Sequence, residues 1–354
     1  MPQRILVINP GSTSTKIAVY EDGVESFSEG VAHSAEEIAP YSSVAEQIGF
    51  RLKTIRASLS SRGLDMSTLS CIVGRGGLLK PIQGGVYAVS EAMKDDLRRA
   101  RYGEHASNLG ALIADQLAVE IGVPAFIADP VVVDELSDVA RIAGHRLFRK
   151  QSIFHALNQK AVARRWASEN AKRYEDVTLI VAHMGGGVSV GLHSRGRVVD
   201  VNNALNGEGP FSPERSGTLP AGALAKLCFS GTVTEKEVMK MINGQGGIVS
   251  LAGTNDMRVL EAKRDGGDAE AGLVYEAFIY NVGKAIGALA AAADGKVDGI
   301  VLTGGIAYGK PVQEGLSRMA GWIAPITVYP GEGELEALAA AGERGLAGEA
   351  KEYS

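Results

Sequence analysis

Two stretches of this chain follow one plan. In the first, an apolar run at 5–8 reaches Asn9, turns at Pro10-Gly11, passes Ser12-Thr13-Ser14-Thr15-Lys16 and re-enters an apolar run ending at Tyr20. In the second, an apolar run at 178–182 reaches His183-Met184, turns through Gly185-Gly186-Gly187 and returns over 188–192. Bounded apolar runs of this length read as strands and the glycine-rich breaks as turns. Each hairpin is followed by another turn, at Gly23 and at Arg195-Gly196, and by a third strand, at 24–27 and 198–201. Gly11 and Gly185 lie 174 residues apart (185 − 11), and Gly23 and Gly196 nearly the same. Similarity at that spacing means a duplicated domain, not a solenoid. Chance likeness of two glycine-containing hairpins is the alternative.

The tips suggest a chemistry. Gly11 lets backbone N–H groups come close to an anion, and Ser12, Ser14 and Lys16 add donors and charge. An ordinary polar hairpin tip would look similar. The segment is not a P-loop, because no second glycine precedes Lys16 and a strand, not a helix, follows.

Composition narrows the classes. The 354 residues suffice for two domains. Net charge is −5, so no basic field draws nucleic acid. The longest apolar stretch, 273–293, is broken by Glu276, Asn281 and Lys284 and reads as a buried helix, not a membrane span. The N-terminus enters the first strand directly, which predicts no signal peptide and a cytoplasmic protein. Cys71 and Cys228 read as reduced, buried thiols, and no His/Cys spacing suggests zinc. His33, His145 and His193 match no motif and read as surface residues.

Helices are expected at 43–60, 91–101, 105–121, 152–168 (His155 in its first turn), 234–241, 269–293 and 334–346, and strands at 69–73, 124–128, 299–303 and 326–329. Thr234 and Glu237 have capping-box spacing. Residues 206–220 and 244–256 read as glycine-rich loops. Strands and helices alternate after each meander, so the class is α/β with mixed sheets and a cleft between two halves. The halves are drawn at 1–150, with a C-terminal helix at 335–354, and 151–334.

Asn-Pro-Gly-Ser-Thr-Ser-Thr-Lys at 9–16, His183-Met-Gly-Gly-Gly and Thr303-Gly-Gly-Ile, in one duplicated α/β chain, resemble the acetate and sugar kinase/Hsp70/actin superfamily. More narrowly the chain resembles the acetate kinase family, through Arg75 in Gly-Arg-Gly-Gly, His105 in Glu-His-Ala-Ser-Asn and Asp129 in Ala-Asp-Pro. His155 in Ile-Phe-His-Ala, Arg215 in Glu-Arg-Ser-Gly-Thr and Gly253-Thr-Asn-Asp256-Met-Arg258 add to it. The Asn-Pro-Gly and His-Met-Gly-Gly-Gly turns resemble the butyrate kinase branch. Acetate kinases tend to carry Asn-Cys-Gly and His-Leu-Gly-Asn-Gly at those places.

That resemblance implies duplicated actin-like (ribonuclease H-like) domains and phosphorylation of butyrate, or a related short-chain acid such as isobutyrate, by ATP with Mg²⁺. It implies catalytic roles for Arg75, Asp129, His155 and Arg215. It implies nucleotide or phosphate contacts from Asn9, Gly11, Ser12, Ser14, Lys16, His183, Gly185, Gly186, Gly187, Asp256, Arg258, Gly304 and Gly305. Mg²⁺ is expected at Asn9, Asp129 and a C-terminal glutamate, Glu332 or Glu334, with Glu334 slightly favoured. A homo-oligomer is expected, with no nucleic-acid partner and no membrane partner. A sugar kinase and a non-catalytic ATP switch are the competing readings.

Overall fold

A computed structural model describes residues 2–354. The chain divides into two units. One runs to Val133 and resumes over Gly333–Ser354; the other is Asp134–Glu332. The switch therefore comes earlier than 150. Glu135 accepts from Lys160 and from the Val198 amide, and the Ser137 amide donates to Val199, which ties this stretch to the second unit.

The first unit is built on a six-stranded sheet in the order β3-β2-β1-β4-β6-β5. Its strands are β1 (Arg4–Pro10), β2 (Ser14–Glu21), β3 (Val24–Ala32), β4 (Cys71–Arg75), β5 (Val86–Ala88) and β6 (Ala125–Ala128). β1, β2 and β3 form an antiparallel meander, while β1, β4 and β6 run parallel. Because strand side chains alternate, Leu6 and Ile8 face the helices Ile48–Ser61 and Asn108–Ile121. Ile5 and Val73 face the other way, against the helix Glu334–Arg344, which comes so close that a Cβ on Gly342 would lie 2.9 Å from both side chains. Fully burying such a side chain contributes roughly 1.5–3 kcal/mol, which is why a sheet apolar on both faces acquires helices on both.

The second unit repeats the plan with β7 (Thr178–Met184), β8 (Val188–Ser194), β9 (Arg197–Val201), β10 (Gly299–Gly304) and β11 (Ile326–Pro330), ordered β11-β10-β7-β8-β9. Leu179 and Val181 pack on Ala163 and Trp166 of the helix Ala156–Glu169. Ile180, Ala182 and Met184 share a core with Tyr275, Phe278 and Val282 of the helix Ala269–Ala292.

Some expectations are corrected. The helix expected from 152 begins at Ala156, so His155 is its N-cap and not part of its first turn. The loop at 244–256 contains a short helix, Gly247–Ala252. Cys71 is buried but Cys228 is exposed, because its helix, Ala221–Cys228, buries none of its residues. His33 and His193 are buried, not on the surface; each completes a hydrogen-bonded network that its neighbours in sequence do not reveal. The Thr234–Glu237 capping box forms as its spacing predicts.

Candidate active site

The first turn spans four residues between the paired Pro10 and Thr15, and the Gly11 amide donates to the Ser14 carbonyl at 2.8 Å. Ser12 and Lys16 are exposed and Ser14 is half-buried. Behind the turn lies Arg51, from the helix Ile48–Ser61, fully buried. Its Nη1 donates to the Gly11 and Ser14 carbonyls and to Thr15 Oγ1 at 2.9–3.0 Å, and its Nη2 donates to the Ser12 carbonyl at 3.2 Å. Burial lowers the pKa of this guanidinium. Sequence reasoning missed Arg51, although a signal was there: it lies on the stripe of Ile48, Leu52 and Ile55, where a charge has no business unless it is satisfied inside.

Three expected residues stand at the carboxyl ends of neighbouring parallel strands, where open α/β sheets bind ligands. Ile8 pairs with Gly74 and Arg75 with Ala128, so Asn9 is the last residue but one of β1, Arg75 ends β4 and Asp129 directly follows β6. Arg75 is thus the last residue of β4, two residues beyond the end expected for that strand. Gly74 must lack a side chain, because the helix Asn108–Ile121 brings the Gly110 carbonyl to 2.1 Å from where its Cβ would be. Glu334 joins the group from the first turn of the helix laid across β1 and β4. Its carboxylate accepts from Asn9 Nδ2 at 2.7 Å and forms an ion pair with Arg75 Nη1 at 2.9 Å. Glu332 belongs to the other unit, and its carbonyl accepts from Asn158. Geometry therefore selects Glu334 as the partner of Asn9 and Arg75.

Asp129 has φ of 36°, a left-handed conformation that Asp tolerates better than most residues. It is held there by a reciprocal pair of bonds: Gly85 N–H donates to its Oδ1 at 2.7 Å, and its own N–H donates to the Gly85 carbonyl at 3.0 Å. His105 is solvent-exposed yet crowded by protein atoms; desolvation, then the Arg75 charge, lowers its pKa.

In the second unit, His155 and His183 stack with centroids 3.8 Å apart. Ser189 Oγ accepts from Gln159 Nε2 and lies 2.8 Å from His155 Nδ1. Asn158 uses its NH₂ on Thr303 and on the Glu332 carbonyl, so its Oδ1 accepts from His183 Nδ1–H, and the neutral His183 ring keeps its lone pair on Nε2. Gly187 lies under His155 and Arg215: a Cβ there would fall 1.8 Å from Arg215 Nη1 and 3.2 Å from His155 Cε1. Arg215 donates to the Ala204 carbonyl at 3.1 Å, and burial lowers its pKa, with Glu214 opposing. Ser212, fully buried and unforeseen, links the Gly186 carbonyl to the Arg215 amide.

A cavity of about 680 Å³ opens in the same unit, lined by Gly185, Gly186, Asp256, Arg258, Gly305 and Tyr308 among others. That is the size of a small-molecule site. It gathers five expected nucleotide residues, whereas His183, Gly187 and Gly304 are not on its wall. Gly304 instead serves the backbone: at φ 86° its Cβ would lie 2.3 Å from the Met184 carbonyl. Asp256 caps the helix Met257–Asp265 and bonds Arg258, which holds its carboxyl down at about 2.

A sequence profile described as the Acetokinase family matches residues 141–314. A probable butyrate kinase of Clostridium botulinum is 54% identical over 351 residues, covering 99% of both chains. Butyrate kinase 1 of Clostridium acetobutylicum is 54% identical over 352 residues, again covering 99% of both. Among solved structures, Porphyromonas gingivalis acetate kinase matches with a TM-score of 0.79 at 17% identity, over 97% of this chain and 100% of that one. A propionate kinase from Francisella tularensis matches with a TM-score of 0.73 at 18% identity, over 96% and 98%. At such identities the structural likeness speaks for the fold, which is the duplicated actin-like α/β architecture.

Proposed function

This chain belongs to the acetokinase family, and from that premise we propose that it transfers the γ-phosphoryl group of ATP to butanoate, giving butanoyl phosphate and ADP, reversibly and by direct in-line displacement. The observation that carries this reading is the 54% identity, over 99% of the chain, to proteins named butyrate kinases. A bond forms between a carboxylate oxygen and the γ-phosphorus, and the bond from that phosphorus to the β,γ-bridging oxygen breaks. The acid has a pKa near that of Glu, about 4.3, so it is already ionised at neutral pH and needs no general base.

Catalysis then rests on positioning and on stabilising charge. We assign Arg75 and Arg215 as the cations. Burial of Arg215 desolvates its charge, which strengthens its field. We assign His155 as a hydrogen-bond donor to a phosphoryl oxygen; His183, whose Nδ1–H is spent on Asn158, would donate at Nε2 only when protonated. Adenosine is assigned to the cavity beside Gly185, Gly186 and Gly305. Asn9, Ser12, Ser14 and Lys16 are assigned to phosphate contacts.

The oxygen-donor set suits Mg²⁺. Asp129, Glu334 and the Asn9 amide oxygen are hard ligands, and Glu334 is already oriented by two donors. Among the described residues no group of three or more His, Cys, Asp and Glu side chains could hold a metal alone, which fits a cation that shares phosphate oxygens with its substrate. Bound there, Mg²⁺ would neutralise phosphate charge. Among the described residues no helix is long and apolar enough to cross a membrane. A cytoplasmic homo-oligomer completes the proposal.

The test is a hydroxylamine trap with ATP and a series of acids from acetate to hexanoate, including isobutyrate. Acyl phosphate gives a hydroxamate, and butanoate should give the highest kcat/KM. ATP hydrolysis without hydroxamate for any acid would overturn the reading.

A further inference from the structure

Arg51 is the most fully enclosed charge in the first unit's turn, and nothing in the proposed reaction uses it. All five of its N–H groups are engaged: two bonds go to Gln47 Oε1, and the others to the Gly11, Ser12 and Ser14 carbonyls and Thr15 Oγ1. Among the described residues none of its partners is a carboxylate. A buried cation without a counter-charge is costly, and neutral carbonyls compensate only part of it.

The carbonyls it holds have a second consequence. A trans peptide is planar, so its C=O and N–H point in opposite directions. With the Gly11 and Ser12 carbonyls drawn inward to Arg51, the N–H groups of Ser12 and Thr13 point outward. Both residues are exposed, and among the described residues neither amide donates to a protein acceptor. Successive outward amides in a turn form an anion-binding concavity. Here it has a fixed positive charge beneath it and Lys16 at its edge.

We infer that Arg51 is a positioning residue for phosphoryl binding: it orients the Ser12 and Thr13 amides toward the anion, and that anion is the counter-charge its buried guanidinium lacks. The inference rests on the reading of the first turn as a phosphate contact.

The test is amide NMR of the full chain, titrated with inorganic phosphate and, separately, with MgATP. In the wild type, the Ser12 and Thr13 amides should shift downfield in a saturable way with at least one of these. Arg51→Gln should weaken that binding about ten-fold or more, the worth of a charge-assisted hydrogen bond. KM for ATP should rise more than kcat falls, and Arg51→Lys, which keeps the charge but not the fork, should fall between. A folded Arg51→Gln with wild-type affinity and wild-type amide shifts overturns the inference. If the wild-type amides ignore both ligands, the phosphate reading of the turn itself fails, a different result. Should Arg51→Gln not fold, Gln47→Leu removes two of the bonds that orient the fork and spares the charge. It should weaken binding a few-fold, and unchanged binding would again overturn the inference.

Discussion

The two meanders are the same scaffold with different chemistry at the tip. Each sheet runs third strand, second, first, then two more parallel strands. Each has a register shift two residue pairs in from its outer hairpin, at Val19/Tyr20 and at Leu192/His193. Each closes its outer hairpin with two positive-φ residues, Asp22-Gly23 and Arg195-Gly196, the twist-matched turn that suits two-residue loops. The tips diverge. Four residues separate Pro10 from Thr15, but three separate Met184 from Val188, which accounts for the one-residue drift between the two repeats. The first tip is backed by a buried cation that takes its carbonyls. The second is stripped to glycine, so that Arg215 and His155 can come down on it. Duplication preserved what the sheet needs and left the turns to differ: one orients backbone donors, the other makes room for side chains.

The sharpest way to break this comparison is to remove one cation from each unit. Arg75→Ala and Arg215→Ala should each lower kcat by about three orders of magnitude, as for other phosphoryl-stabilising arginines, in the hydroxamate assay. Arg75 is half-buried, so its loss should leave the circular dichroism spectrum unchanged. If only one variant were impaired, the chemistry would belong to one unit.

The next effect separates the tips themselves. Gly187→Ala puts a methyl group into the Arg215 guanidinium, so kcat should fall about a hundred-fold, a fraction of what losing that arginine costs. Gly11→Ala meets nothing closer than 3.5 Å and should stay within a few-fold of wild type. Equal losses would show that both tips need glycine for the same reason, against the contrast drawn above.

A smaller effect belongs to Asp129. Asparagine at this position retains an Oδ1 to accept the Gly85 amide, so the strained loop should persist. Asp129→Asn should raise the Mg²⁺ needed for half-maximal rate about ten-fold, as losing one carboxylate or supporting ligand does elsewhere. It should not remove an ionisation between about pH 6 and 8, where the substrate acid stays charged. Loss of an acidic limb there, with unchanged Mg²⁺ dependence, would make Asp129 a general base and favour a hydroxyl substrate.

How much of this was legible beforehand follows from what kind of signal each residue leaves. Strands β1 and β7 read directly because apolar runs buried on both faces are continuous in sequence. Arg75, Asp129 and Arg215 stood out through the motifs that carry the resemblance to the acetate kinase family. Glu334 could not be separated from Glu332 by spacing; only the helix crossing β1 and β4 brings one of them to Arg75. Arg51 left a signal on its apolar stripe, but the carbonyls that satisfy it lie 37–40 residues away; the Asn158-Gln159 pair left none, because its partners are distant in sequence and a polar residue within a helical pattern reads as solvent face. His193 was misread because it lies in a strand buried on both faces, and what makes its burial acceptable, Tyr174 and Gln159, is distant in sequence.

His193 supplies the smallest prediction, and it again compares the units. Gln159 Nε2 is spent on Ser189, so its Oε1 accepts from His193 Nε2–H, and Tyr174 O–H donates to His193 Nδ1. Both ring nitrogens are thereby committed to the neutral form. Burial first, then Lys160 and Arg164, lowers its pKa well below 6.5. In the first unit, His33 Nε2 is hydrogen-bonded to the Thr15 hydroxyl, to which Arg51 also donates; burial and Arg51 lower its pKa, with Glu37 opposing. The sign follows from proton counts. Above pH 6.5 both histidines are neutral whether folded or unfolded, and the stability is fully present. Below it the unfolded chain takes up protons that the folded chain refuses, so stability falls with falling pH until the folded pKa is reached. For His193 the limiting slope is about 1.4 kcal/mol per pH unit; for His33, with a shallower shift, the window is narrower. Thermal unfolding followed from pH 7.5 to 5.0 should show a falling midpoint in the wild type. His193→Gln should lower the midpoint at pH 7.5 yet flatten its dependence on pH, and His33→Gln should flatten it less. A wild-type dependence that His193→Gln leaves untouched would place the acid-sensitive group elsewhere and remove the asymmetry between the two units.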